Sequence, residues 1–180
     1  IDGADVIDRY ATLNLPAEAP PGTRYRYNNS GYLVLANLVE QTSGEGFARH
    51  LESSLFTPLG MTQTRLRTVT NEPALSPRAL GFDTADDGTM RAVDQIPGFY
   101  VRGAGGVYST AADLLRWQRA LGSGRLMSSE MWRRATTPVA LSDGTTSLYG
   151  YGVSLRPLAD GTARIFHSGH WRGFKSDLSY

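Results

Sequence analysis

The chain has 180 residues, of which 41% are hydrophobic and 19% charged, and its formal net charge is +1. This composition suits a globular protein with a real core, and the balanced charge argues against a nucleic-acid surface or a polybasic membrane patch. The sequence has no cysteine, which excludes thiolate chemistry and disulfides within it, and its longest mainly apolar run, 32–39, is too short for a transmembrane segment.

The first predicted helix follows a turn-rich stretch, PAEAPPGTRYRYNNSG, which is rich in proline and glycine. Apolar side chains then recur at helical spacing, i, i+3, i+4 and i+7, on Tyr32, Leu35, Ala36 and Val39. Gly44 is placed as the C-terminal stop of this helix.

A second helix and a long loop are predicted next. The apolar face of the helix consists of Phe47, Leu51 and Leu55, and Pro58 with Gly60 ends it. Residues 62–100 lack sustained periodicity and contain the turn-like TADDGT. We interpret them as a long loop excursion with one hairpin, of a kind that is often functional.

The clearest helix signal lies in STAADLLRWQRALGSG. Thr110 is suited to cap the helix, with Asp113 three residues later, an arrangement similar to a capping box. The buried stripe is expected to comprise Ala111, Leu114, Leu115 and Leu121, and Gly122 to end the helix. A further short helix, MSSEMWRRA, is predicted with Ser128 as its cap.

The periodicity changes after Pro138. Tyr151, Val153 and Leu155 alternate with smaller or polar residues, as in a half-buried strand. The ADGT segment at 159–162 predicts a hairpin turn, ARIFHSG the returning strand and GFKSDLSY the start of a third. Helices followed by antiparallel strands indicate an α+β fold.

Several chemical motifs are absent from the sequence, including G-x-S-x-G, the P-loop and G-x-G-x-x-G. His167 and His170 form an H-x-x-H pair, the one candidate for a metal site. On a strand that leads into a turn, their rings point in different directions, and no third ligand is evident. No metal and no cofactor are therefore expected.

Five stretches, taken in chain order, resemble the serine β-lactamase and penicillin-binding-protein superfamily. They are PGTRYRYNNSGYLVLANLVEQTSG, LFTPLGMTQT, GAGGVYSTAADLLRW, YGYG and HSGHWRGFKS. Within the superfamily they are most similar to the branch of class C β-lactamases, D-alanyl-D-alanine carboxypeptidases and esterases. The Y-x-N motif of that family corresponds to residues 27–29 here, and its third motif, K-T-G or H-x-G, to residues 167–169.

The resemblance implies roles for the residues of these motifs. Tyr27 would be the proton shuttle beside a serine nucleophile, and a tyrosine suits that role only where neighbouring positive charge lowers its pKa from about 10. Asn29 would bind the substrate amide and the catalytic lysine. His167 would lie on the strand beside the cleft, where it helps to bind or polarise the substrate and Tyr27.

The residues after His167 would complete the substrate site. Ser168 and Gly169 would bind substrate along the strand, and the backbone N–H of His170 would form half of an oxyanion hole. The remaining polar residues of the first motif, Asn28, Tyr25 and Tyr32, are expected to pack or to cap the helix.

The sequence departs from the family in one motif, S-x-x-K, which supplies the nucleophile. Its single lysine is Lys175, and the residue three positions earlier is Arg172. We therefore expect a fragment, incomplete at both ends, of a β-lactamase/transpeptidase-like domain. A mainly helical region, 1–140, would carry the Y-x-N motif and the loop excursion near 62–100, and antiparallel strands at 141–180 would carry the H-x-G motif.

The implied function is that of a serine acyl hydrolase acting through an acyl-enzyme on β-lactams, D-alanyl peptides or small esters and amides. The chain by itself is expected to be inactive, with no nucleic-acid partner, and to self-associate through exposed strand edges. A bacterial periplasmic or secreted location is expected. Two alternatives stay open: a non-catalytic penicillin-binding-like module that has lost its nucleophile, and a metal hydrolase that uses His167 and His170.

Overall fold

The computed structural model describes residues 3–71, 77–93 and 100–180. Its helices are α1 (Gly3–Leu13), α2 (Asn29–Ser43), α3 (Phe47–Leu51), which continues as a π-helical turn (Glu52–Phe56), α4 (Ala111–Gly122) and α5 (Ser129–Ala135). Its strands are β1 (Arg65–Leu66), β2 (Gly81–Thr84), β3 (Met90–Val93), β4 (Val107–Tyr108), β5 (Val139–Ala140), β6 (Thr146–Ser147), β7 (Ser154–Pro157), β8 (Ala163–Trp171) and β9 (Phe174–Ser179). In the described ranges, no helix has the length and apolar character needed to cross a membrane.

The helix ends lie where local capping residues were predicted. The Thr110 side chain caps α4 and accepts a hydrogen bond from the Asp113 N–H at 3.2 Å. Ser128 caps α5, and Gly44, in the left-handed conformation, follows the last residue of α2. These predictions are confirmed because a cap is a bond between neighbours in sequence, which the sequence itself specifies.

The chain forms two units that alternate along the sequence. The first takes in the described residues of Ile1–Ala17, Arg26–Pro77 and Ile96–Leu126, and the second those of Glu18–Tyr25, Arg78–Gln95 and Met127–Tyr180. The first unit contains a core cluster formed by Phe56, Leu59, Met61 and Ala120, with Trp117 packed against it.

The buried face of α4 differs from the predicted stripe. Leu121 is buried as expected, but Ala111 and Leu115 are exposed, and Asp113 is only 1% exposed. The reason is a polar anchor: the Asp113 carboxylate accepts hydrogen bonds from the N–H of Gln63 and the hydroxyl of Thr64, both at 2.8 Å. A buried carboxylate with these donors is satisfied, so the helix turns this face inward.

The face of α2 is also rotated from the predicted one. Ala36 is buried as expected, but Leu35 is 51% exposed and Leu33 is buried in its place. On α2, Glu40 forms an ion pair with Arg102 at 2.7 Å. Contacts this distant in sequence decide which side of the helix is covered, and the spacing of apolar residues alone does not include them.

Three strands of the second unit follow the predicted order, although the first begins at Ser154, so that Leu155 lies in it and Tyr151 and Val153 precede it. β7, β8 and β9 form an antiparallel sheet in that order, with Leu155 opposite Ile165. The predicted turn at 159–162 closes through a hydrogen bond from the Leu158 N–H to the Thr162 carbonyl at 2.8 Å. In the excursion, β2 and β3 form the expected hairpin, and its segments 72–76 and 94–99 lie outside the described residues.

Candidate active site

The Y-x-N segment lies where α2 begins. Asn28 is the N-cap, and its Oδ1 accepts a hydrogen bond from the Gly31 N–H at 3.0 Å, as expected of a capping residue. The Tyr27 hydroxyl donates to Oδ1 of Asn29, the first helical residue, at 3.0 Å. Tyr27 is 51% exposed and Asn29 is exposed. The structure thus brings Tyr27 and Asn29 together. Their hydrogen bond orients the Tyr27 hydroxyl, which stays accessible.

The start of α2 is also connected to α1. The Ser30 Oγ donates to the hydroxyl of Tyr10 at 3.4 Å, and the two helices are neighbours in the first unit. The first unit therefore contains a second hydrogen-bonded tyrosine hydroxyl, that of Tyr10. Its removal can be compared with removal of the Tyr27 hydroxyl.

The four other predicted site residues, 167–170, are consecutive on β8. β7 covers one edge of β8 over Ala163–Phe166, and β9 covers the other edge over Phe166–Trp171. The H-x-G segment therefore begins where β7 ends. His167 is half-buried, whereas the three residues after it are exposed.

Gly169 faces a serine side chain on the neighbouring strand. It is opposite Ser176 of β9, and a Cβ added to Gly169 would lie 2.6 Å from the Ser176 Oγ. The glycine of the motif therefore leaves room for the Ser176 hydroxyl in its present orientation.

His167 has a partner that sequence reasoning missed. The hydroxyl of Tyr149 lies 2.9 Å from the Nε2 of His167, within hydrogen-bonding distance, and the two rings meet edge to face at 5.9 Å between centroids. The Tyr25 ring packs on Tyr149, with centroids 5.4 Å apart, so the expectation that Tyr25 packs is confirmed. The signal for Tyr149 was the YGYG segment, which the resemblance included without assigning a role to its tyrosine.

The two charged residues of β9 that face the H-x-G segment differ in their surroundings. Asp177, opposite Ser168, is paired with Arg164 at 2.7 Å. Lys175 is opposite His170, and residues directly opposite in an antiparallel pair share a face of the sheet. The exposed end of the H-x-G segment therefore has a basic neighbour, which suits an anionic or electron-rich group.

The H-x-x-H pair is not arranged as two ligands of one metal ion. His167 and His170 are three residues apart on β8, so their side chains emerge on opposite faces of the sheet. Among the described residues, no group of three or more histidine, aspartate or glutamate side chains is arranged to hold a metal ion.

The predicted site residues fall in two different units. Tyr27 and Asn29 belong to the first, and His167 with its three successors to the second. Their convergence on one cleft stays a prediction. Within the second unit, the contact between Tyr149 and His167 adds a residue to the candidate site.

Comparison with known proteins gives a consistent result. The profile of the family described as Beta-lactamase matches residues 2–178. A D-aminopeptidase of Gluconobacter oxydans is 30% identical over 172 residues, which are 95% of this chain and 31% of the relative. Penicillin-binding protein 4* of Bacillus subtilis is 29% identical over 181 residues, with 96% of this chain and 40% of the relative covered.

The fold has a solved counterpart. The octameric penicillin-binding protein homologue from Pyrococcus abyssi superimposes with a TM-score of 0.85 at 22% identity, covering 99% of this chain and 41% of that one. The chain thus spans less than half the length of each of these three proteins.

Proposed function

The chain belongs to the β-lactamase family, and from this premise we propose that the protein that contains it is a serine acyl hydrolase working through an acyl-enzyme. The observation that carries the proposal is the bond between the exposed Tyr27 hydroxyl and Asn29 at 3.0 Å. A fixed orientation suits a phenol for proton transfer, because a general base acts only within hydrogen-bond reach of the proton that it takes. Capping alone would need only Asn28.

The reaction assigns one task to each motif. A serine Oγ attacks the acyl carbonyl carbon, Tyr27 acting as the phenolate takes the serine proton, and a tetrahedral oxyanion forms. The backbone N–H of His170 donates to that oxyanion, which is where preorganised donors contribute most. When the intermediate collapses, the bond to the leaving group breaks, Tyr27 returns the proton to that group, and water later hydrolyses the acyl-enzyme.

The other residues hold the substrate. Asn29 binds the substrate amide and the catalytic lysine, and His167 binds or polarises the substrate. Ser168 and Gly169 align it along β8, beyond the end of β7. The 180 residues contain no S-x-x-K motif, so we assign the nucleophilic serine and its lysine to residues outside 1–180.

The substrates we propose are amides, peptides or esters with an accessible acyl carbon, including β-lactams and peptides with D-residues. Histidine at the first position of the third motif favours a peptidase or esterase over a strong β-lactamase. The names of two relatives, a D-aminopeptidase and a penicillin-binding protein, support this range.

A second candidate is favoured by the missing S-x-x-K motif: a non-catalytic penicillin-binding-like module that has lost its nucleophile. One experiment separates the two candidates. The full-length protein is incubated with a fluorescent penicillin and a fluorophosphonate, and the labelled peptide is identified by mass spectrometry. We expect stoichiometric labelling of a serine outside these 180 residues. Penicillin binding without covalent labelling would favour the binding module, and labelling of a serine within 1–180 would show that the motifs are misassigned.

The proposal also includes the location of the protein and its self-association. A periplasmic or secreted location suits an enzyme acting on D-alanyl peptides, and cell fractionation tests it. Self-association through exposed strand edges is proposed from the strand order, in which β7 and β9 are the outer strands of the three-stranded sheet. Light scattering of the purified full-length protein measures it, and a monomer at all concentrations would contradict it.

A further inference from the structure

The YGYG segment contains a side chain that contacts a predicted site residue directly. The Tyr149 hydroxyl lies 2.9 Å from the Nε2 of His167, although the two residues are 18 positions apart. We propose that Tyr149 is a positioning residue, which fixes the orientation and the tautomer of the His167 ring through this hydrogen bond. The inference rests on the proposed function for its catalytic meaning, but the bond itself can be tested without it.

The turn that presents Tyr149 is tightly built. A Cβ added to Gly150 would overlap the carbonyl oxygen of Ala135, the last residue of α5. The same carbonyl accepts a hydrogen bond from the Tyr151 N–H at 2.8 Å, and the Gly150 N–H donates to the Val153 carbonyl at 2.8 Å. The backbone after Tyr149 is therefore held by α5, which fixes the position from which the Tyr149 side chain extends.

The ring of Tyr149 is packed as well. Tyr25 lies against it at 5.4 Å between centroids, and both tyrosines belong to the second unit, as does His167. Aromatic pairs at this separation are attractive beyond the area that they bury. Packing and a fixed backbone together restrict the hydroxyl to a narrow region, which is what a positioning group requires.

The direction of the hydrogen bond follows from acidity. A neutral phenol is a stronger acid than the N–H of a neutral imidazole, so the favoured arrangement has the Tyr149 O–H donating and Nε2 accepting. The ring proton of neutral His167 then lies on Nδ1. Any second contact of the ring is made through Nδ1, which is a donor in this tautomer and suits the carbonyl or carboxylate oxygen of an acyl substrate.

The tautomer of His167 in the full-length protein provides the first test. Long-range proton–nitrogen NMR distinguishes the two nitrogens, and the His167→Gln variant assigns the signals by difference. We expect the Nδ1–H tautomer to predominate in the neutral ring. A predominant Nε2–H tautomer would overturn the inference, and this measurement needs no variant of Tyr149.

The second test compares two tyrosines of the same segment. Tyr149→Phe removes the hydroxyl and keeps the ring, and Tyr151→Phe makes the same change on a side chain that is 58% exposed. We expect Tyr149→Phe to shift the His167 nitrogen signals toward a mixture of tautomers, and Tyr151→Phe to leave them unchanged. Equal spectra for the two variants would contradict the inference.

Acylation kinetics connect the bond to the reaction. In metal sites, losing the group that orients a histidine costs about 10- to 100-fold, and we expect Tyr149→Phe to lower the acylation rate with a chromogenic ester by about 10-fold. Altered histidine signals with an unchanged acylation rate would refute the positioning role. Absence of covalent labelling of the wild-type protein would instead refute the proposed hydrolase. The tautomer measurement would still test the hydrogen bond between Tyr149 and His167.

Discussion

Two tyrosine hydroxyls in this protein each bond to a neighbouring polar side chain, and the pairs differ in how they are built. Tyr27 and Asn29 are two residues apart, and both are exposed. Tyr149 and His167 are 18 residues apart and half-buried, and Tyr25 packs on the Tyr149 ring. The first pair needs only the turn that begins α2, whereas the second depends on the turn after Tyr149 and on the position of β8.

Because of this difference, we expect mutations at the two pairs to change different properties, the reaction rate in one case and the stability in the other. A local pair at an accessible position can be altered with little loss of stability, so its effects should appear in the chemistry. A pair held by tertiary packing should be sensitive to changes in the turn that presents it, even where those changes touch neither of its side chains.

The largest effect is expected for Tyr27→Phe in the full-length protein. Loss of a general base costs about 10²- to 10⁴-fold in rate, whereas losing one exposed hydroxyl costs about 1 kcal/mol of stability or less. Single-turnover acylation and urea unfolding measure the two quantities. Tyr10→Phe is the matched control, since it removes another exposed, hydrogen-bonded hydroxyl from the same unit. Equal acylation rates for the two variants would remove Tyr27 from the mechanism.

Gly150→Ala should disrupt the hydrogen bond between Tyr149 and His167. The added methyl group would overlap the Ala135 carbonyl oxygen, and overpacking of this kind costs about 1–3 kcal/mol. We expect a lower melting temperature together with a loss of the Tyr149-dependent His167 signals in NMR. Gly122→Ala, where the new Cβ meets no atom within 4 Å, should leave both unchanged or slightly stabilise the helix. A Gly150→Ala protein as stable as wild type would show that the turn is not held by α5.

The two asparagines of the first motif should separate stability from chemistry. Asn28→Ala removes the cap of α2 and should cost about 1 kcal/mol, measured by urea unfolding. Asn28→Asp keeps the acceptor oxygen and should restore most of that stability, because a negative charge is favourable at a helix N-terminus. Asn29→Ala should instead lower the acylation rate. A larger loss of stability from Asn29→Ala than from Asn28→Ala would reverse these assignments.

The smallest expected effect concerns Asp160, in the turn between β7 and β8. The Thr162 hydroxyl donates to its carboxylate at 2.6 Å and the Thr162 N–H at 2.9 Å, and these hydrogen bonds lower the pKa of Asp160 from its usual value of 3.8. A lowered pKa in the folded state contributes stability that is present above the unfolded-state value. That stability is lost as the pH falls through the folded-state value.

Asp160→Asn should remove this pH-dependent contribution. The difference in unfolding midpoint between wild type and the variant should be largest near neutral pH and should narrow on acidification below about pH 4. Asp87→Asn should show the same narrowing, because Asp87 makes the same contacts with Thr89 in the β2–β3 hairpin and also has a lowered pKa. A difference that stays constant from pH 7 to pH 3 would contradict the assignment.

The sequence by itself determined the features that depend on near neighbours. The caps at Asn28, Thr110 and Ser128 and the hairpin turn at 159–162 are confirmed, because each is a bond between residues two to four positions apart. The family resemblance and the α+β fold are confirmed as well, since short motifs in a fixed order are also a property of the sequence.

Only the tertiary structure decided which surfaces are covered and which distant side chains meet. Leu35 and Leu115 fit the helical pattern yet are exposed, whereas Asp113 is buried because donors some 50 positions away satisfy its carboxylate. Tyr149 reaches His167 for the same reason, through the turn held by α5 and the placement of β8. Burial and long-range hydrogen bonds are set by which elements come into contact, and periodicity within one element contains no information about its partners.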